Sequence, residues 1–388
     1  MRLIQLELYK ILAQKVVYLA FVVMVMLYGL FLYGQGESRG ERIQALRDTF
    51  EQYGGELTKE KEAWADKAWA EYEQAEKAAR AKEQSLYDLD SPLWARGWVG
   101  NDIKKAVQWG EEQERVTQQL EAMAVGETEG APGYERKLAE KELAVRRSAG
   151  SPDYIFYQEG WRNILMYGQE IGYYFAGALT ILGLSGTFSR EYTSRMDSLL
   201  FSSRYGRTRA LGAKLSAAAI YCGMIVGALG GVVLAMNGWL YGLTGWNTRL
   251  VNVQDLFHGT AFGGPIWLYF LKQLVYVWLG YTVLGMFVLL ISSRTRFLLL
   301  PAFLGGLVFL LPAVWQVLSL PISRLNGVVS VLFPYLGFLK LEGLDRIAFV
   351  SILGRPVLDG DVLLLRMLAY ALVLGLLLYT SIQRRQVS

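Results

Sequence analysis

Few residues in this chain could do covalent or metal chemistry. There is one cysteine, Cys222, and one histidine, His258, so neither a disulfide framework nor a multi-histidine or cysteine metal site can be assembled. No Gly-x-x-x-x-Gly-Lys-Ser/Thr loop is present to cradle a nucleotide, and no His-Glu-x-x-His or Gly-x-Ser-x-Gly segment supplies a metal pair or an activated serine. The sequence therefore predicts no catalytic residue, no metal site and no cofactor bound by this chain. Glu170, Lys272 and Arg366 fall within apolar runs, where a charge is costly unless paired or wetted. Glu170 is expected to pair with Lys272 or Arg366 near the extracellular mouth of a membrane bundle.

The elements that must position these residues are long and apolar. Of 388 residues, 53% are hydrophobic and 19% charged, below the roughly 25% charge of soluble chains. A spanning helix needs roughly 20 apolar residues, and six stretches qualify: 16–33, 164–188, 210–236, 266–292, 297–318 and 362–382. The predicted fold is all-α, a polytopic membrane protein with six transmembrane helices. Upstream of the first span, Ile4, Leu8, Ile11 and Leu12 recur at helical spacing, which predicts an amphipathic interfacial helix at the N-terminus, so that 1–33 form one unit.

Lys and Arg set the orientation. Arg2, Lys10 and Lys15 precede the first span, a cluster from Arg190 to Lys214 joins the second to the third, Arg294 and Arg296 join the fourth to the fifth, and Arg384 and Arg385 follow the sixth. Every second connection is basic, which predicts both termini in the cytoplasm and a multi-pass protein of the cell membrane. The net charge of +4 belongs to these membrane ends, and no nucleic-acid partner is expected. Residues 34–163 are then extracellular. Their Glu/Lys/Ala-rich stretches, interrupted at Ser91-Pro92, Gly126 to Gly133 and Gly150-Ser151-Pro152, predict a helical insertion with Trp64, Trp69, Trp94, Trp98 and Trp109 as its core. Residues 164–388 hold the remaining spans, with a re-entrant outer segment near 321–361, where Pro334 divides an apolar piece too short to cross.

The joint between the second and third spans is the most informative stretch. Glu191 and Asp197 lie at its start, Leu199-Leu200 follow, and Arg204, Arg207, Arg209 and Lys214 come after, which describes a short amphipathic helix near 189–203 able to dock a soluble partner. In this order of residues the chain resembles the membrane permeases of the type-2 ABC exporter family. There an acidic residue leaves the second span, a coupling helix ends in paired leucines, and basic residues precede the third span. Glu191, Arg195, Asp197, Leu199, Leu200 and Arg207 are the positions this resemblance assigns to coupling. The family's small Gly-Thr step is replaced here by Arg195-Met196. The resemblance implies a separate ABC ATPase subunit that binds ATP and Mg, a second copy or a related permease, and no enzymatic activity in this chain.

Span three carries Ala219, Gly223, Gly227, Gly231 and Ala235, each four apart, a spacing that lets helix backbones approach closely in lipid. It serves packing within one bundle or a seam between two chains. Export of an amphipathic or lipidic molecule or an antimicrobial peptide across the lipid bilayer is the leading functional expectation. A sensor module using the outer helices for ligand binding is the alternative.

Overall fold

The computed structural model describes residues 2–84, 92–125, 133–196, 206–253, 259–317 and 346–384; the side chains of 35–39, 167–173, 206 and 311–317 are outside this description. The structure is mostly helical (81%). Four helical stretches are long and apolar enough to cross a membrane: Lys15–Gly34, Arg207–Tyr241, Ile266–Arg294 and Asp359–Gln383. A shorter apolar helix covers Leu299–Leu310. The chain is thus a helical multi-pass membrane protein, with four such helices among the described residues where six spans were expected.

Helix α1, Arg2–Leu12, is short and stops at Ala13-Gln14. Ile11 is buried and Ile4, Leu8 and Leu12 pack against the bundle. Gln14 turns the chain in an extended conformation and its amide donates to the Gly183 carbonyl at 2.9 Å. Helix α2 then runs unbroken from Lys15 to Tyr53, about 58 Å at 1.5 Å per residue. Its first half is apolar, and its second half is polar and leaves the bundle. Gly54 turns to an extended conformation and ends it, and a Cβ there would lie 2.3 Å from the Phe50 carbonyl oxygen and 2.9 Å from that of Ile155.

The polar layer consists of α3 (Lys59–Arg80), α4 (Pro92–Val125) and α5 (Gly133–Ala149). Thr58 caps α3 by accepting from the Lys61 amide, with Glu60 and Glu62 in the first turn and Lys77 and Arg80 in the last, each sign matched to the helix dipole. Helices α3 and α4 pack antiparallel through small side chains. Ala65, Ala68, Val99, Ile103 and Ala106 are buried, and a Cβ on Gly97 would lie 2.4 Å from Tyr72. This corrects the expected tryptophan core: only Trp94 is fully buried, Trp64 stacks on Tyr53 at 3.8 Å, and Trp98 is 41% exposed. Close approach of two backbones leaves no room between them for five indoles.

Short strands modify the all-α expectation. β1 (Gly55–Glu56) pairs antiparallel with β2 (Tyr154–Ile155), clasping the two ends of the polar layer together. From β2 the chain enters α6 (Glu159–Arg162) and a π turn (Asn163–Tyr167), then α7 (Gly168–Ser185) and the five-residue α8 (Ser189–Thr193). The remaining helices are α9 (Gly206–Tyr241), α10 (Ile266–Arg294), α11 (Leu299–Val317) and α12 (Asp359–Gln383). β3 (Phe349–Ile352) and β4 (Arg355–Leu358) form a hairpin directly before α12. Leu353 and Gly354 at its tip both have positive φ, the primed-turn geometry of two-residue hairpins. The re-entrant segment expected at 321–361 therefore ends in a hairpin, and its part up to 345 lies outside the described residues.

Two contiguous cores result. One fills the bundle and includes Leu179, Leu184, Ala217, Tyr221, Leu284, Val288 and Leu378. The other runs from Tyr28 and Leu32 through Tyr157, Trp161, Tyr241 and Tyr269 to Val99 and Ile103, so the polar layer is packed onto the bundle.

Candidate functional site at the second joint

The joint after α7 is held from three directions. Glu191 on α8 is buried at 6% exposure, and its Oε1 accepts from Lys214 Nζ at 2.7 Å and from Lys10 Nζ at 3.0 Å. Glu7 on α1 completes the ring: Oε2 accepts from Lys214 at 2.8 Å and Oε1 from Lys10 at 2.8 Å. Lys214, 2% exposed, also stands 5.1 Å from the centre of the Phe188 ring, which adds a cation–π attraction. Two lysines and two carboxylates balance, and a buried charge is tolerable only in that arrangement.

Charge within the network is mutually reinforced. Burial works against the Glu7 carboxylate, but Lys214 and Lys10 outweigh it and hold Glu7 below its ordinary value of 4.5. Burial likewise opposes the charge on Lys10, yet hydrogen bonds from its ammonium to Glu7 and Glu191 raise it above its ordinary 10.5.

A second set of bonds fastens the joint to α10. Ser292 Oγ accepts from the backbone amides of Phe188 at 3.1 Å and Ser189 at 3.2 Å, and donates to the Ser185 carbonyl at 2.8 Å. One hydroxyl thus serves backbone groups on both sides of the break between α7 and α8, groups that no continuing helix could satisfy. Tyr192 Oη donates to the Ser293 carbonyl at 3.2 Å. Ion pairs hold the joint to α1 and α9, and hydroxyls hold it to α10.

The structure locates the other predicted residues as follows. Arg195 is exposed with φ 55°, a left-handed conformation that turns the chain after α8, so a single helix over 189–203 is interrupted there. Asp197, Leu199 and Leu200 lie outside the described residues. Arg207 donates to the Gln383 carbonyl at 2.9 Å, joining the start of α9 to the end of α12. In the small-residue stripe, the Ala219 carbonyl accepts from the Trp278 indole at 2.7 Å and Gly223 faces the same indole. Gly227, Gly231 and Ala235 are exposed, and a Cβ on either glycine would meet nothing. The stripe serves contact with α10 at one end and is open at the other.

Lys272 lies 5.2 Å from the centre of the Phe262 ring and 5.8 Å from that of Tyr276, and Arg366 is half-buried on α12. Glu170, on α7, has its side chain outside the described set. Among the described residues no cluster of three or more His, Cys, Asp or Glu could hold a metal ion.

Two members of the ring, Glu7 and Lys214, were not singled out as a buried pair in advance. The signal was present. Glu7 falls in register with Ile4, Leu8 and Ile11, at i, i+3, i+4 and i+7, so a carboxylate sits on the buried face of an amphipathic helix. Lys214 interrupts an otherwise apolar run. Each demands a partner of opposite charge.

Comparison with protein-family models, curated proteins and solved structures finds no match to this chain. Fold and joint define the class of a helical multi-pass membrane protein with a buried ionic ring at one end.

Proposed function

We propose that this chain is the membrane-spanning permease subunit of an ATP-driven exporter of the type-2 ABC family, with ATP hydrolysed on a separate chain. The supporting observation is the mechanical state of the joint: a five-residue helix whose Glu191 is locked into α1 and α9 while Ser292 fastens its base to α10. A push delivered to such a joint is transmitted to three helices at once. That is what a permease moved by an external ATPase requires.

In this reading α2, α7, α9, α10, α11 and α12 are six spans, both termini are cytoplasmic, and residues 34–163 form an extracellular insertion. Arg195, Asp197, Leu199 and Leu200 present the docking surface, while Glu191 and Arg207 anchor it. Two permeases pair, and the substrate is amphipathic or lipidic, an antimicrobial peptide included. The scarcity of charges deep in the expected spans motivates that class, because an ion or sugar path needs polar lining.

The test is coexpression with candidate ATPase subunits, then ATP turnover with Asp197→Ala and Glu191→Ala. A retained ATPase whose turnover falls several-fold in Asp197→Ala, with the chain still folded, is expected. A folded chain that retains no ATPase removes the reading.

A cavity of about 600 Å³ between α4 and α5, with Gln113, Thr117, Glu121, Arg146, Arg147 and Ser151 in its lining, favours a second reading as a sensor. A ligand response that persists without ATP would select it.

A further inference from the structure

Beside the ionic ring lies a cavity of about 350 Å³ between α1 and the α7–α8 joint. Its lining includes Lys10, Thr187, Arg190, Ile11, Tyr9 and Met196. We propose that it binds the headgroup of an anionic phospholipid, with the phosphodiester held by Arg190 and Lys10.

Charge is the first argument. Arg190, Lys10 and Lys214 face Glu7 and Glu191, three cations against two carboxylates, which leaves one positive charge uncompensated. Among the described residues the exposed Arg190 guanidinium has no ion-pair or hydrogen-bond partner, while every other charge in the group has at least two. Lys10 gives two of its three N–H donors to Glu7 and Glu191, its side chain is half exposed, and one donor remains. A guanidinium fork with an adjacent ammonium donor is a fitting receptor for a phosphate oxyanion.

The surroundings select a lipid over a free phosphate. Leu3, Leu6 and Tyr9 form an exposed apolar strip along the outer face of α1, 38%, 57% and 71% accessible, while its inner face is already packed. An exposed apolar strip on a helix at the membrane surface is covered by hydrocarbon. Tyr9 belongs both to that strip and to the cavity wall, so acyl chains along the strip bring a headgroup to Arg190. The inference rests on placing α1 at the membrane surface and is independent of any ATPase.

The experiment is native mass spectrometry of the full chain titrated with phosphatidylglycerol or phosphatidylcholine of identical acyl chains. Phosphatidylglycerol is expected to be retained about fivefold better, the effect of one basic residue near a membrane surface. Arg190→Gln, which removes no partner among the described residues, should bring the ratio close to one, while Arg294→Gln should leave it. Equal retention of both lipids, or a preference that survives Arg190→Gln, overturns the proposal. So does inorganic phosphate displacing the lipid at equal concentration, which would mark a soluble-anion site. Loss of ATPase copurification with lipid preference intact would instead count against the permease reading alone.

Discussion

The two ends of this molecule use the same side chains for opposite purposes. At the second joint, Lys214 and Glu7 form an ion pair 2% and 5% exposed. In the polar layer, Lys104 and Asp66 form one of nearly equal length, 3.0 Å, at 30% and 62% exposure. The first replaces water around its charges entirely; the second shares them with water. Desolvation makes the buried ring costly to assemble and far costlier to break. Solvent screening makes the exposed pair nearly dispensable. One kind of contact thus serves a buried ring at one end and an exposed helical layer at the other, at two dielectric constants.

The comparison is broken most severely at Lys214. Lys214→Met leaves Glu7 and Glu191 buried against Lys10 alone, an unpaired negative charge that costs about 3–5 kcal/mol. Thermal unfolding in detergent should show a large loss for this variant, and Lys214→Met with Glu7→Gln should recover part of it. A single variant as stable as the parent would mean that the ring is not buried. The pH dependence has a definite sign. Glu7 is depressed in the folded state, so its contribution is present above 4.5 and is lost as pH falls through its folded value. Melting temperature should therefore drop as the pH is lowered below 4.5, towards the depressed folded value of Glu7. Lys10, raised, contributes below 10.5 and loses its contribution as pH rises through its folded value.

Removing the hydroxyl at the same joint costs less. Ser292→Ala leaves the Phe188 and Ser189 amides buried without their acceptor, roughly 1–3 kcal/mol for a desolvated group. Ser292→Thr keeps the oxygen and should lie closer to the parent. Hydrogen exchange at these two amides is the direct readout, and unchanged protection in Ser292→Ala would exclude the clamp.

How much of this was legible in sequence depends on what physics had to decide. The long helices were, because apolar length alone dictates them: 266–292 was expected and Ile266–Arg294 is found. Glu7 was legible in type and register, but its buried partner was not. Lys10, three residues on, was within reach along α1, but the second partner, Lys214, is brought in only by the approach of α9 to α1. The tryptophans misled because their preference for burial is general, whereas Ala65 and Gly100 let α3 and α4 approach too closely to admit them. A two-residue pairing such as β1 with β2 has no periodicity to read, since it is made by the meeting of chain segments a hundred residues apart. Ser292 carried no signal at all. Its role exists only because α7 and α8 break beside it.

The mildest perturbation is the sharpest control. Asp66→Asn removes a carboxylate from the exposed pair with Lys104 and is expected to change stability by about 0–1 kcal/mol. Whatever difference exists at low ionic strength should shrink as salt shortens the Debye length to about 3 Å at 1 M. Lys214→Met should keep its deficit in the same titration, because the Lys214–Glu7 pair it breaks is 2% and 5% exposed and little screened. If the two variants instead respond to salt alike, the lysines share one environment and the contrast between the two ends disappears. Melting curves of both variants across the salt series decide it.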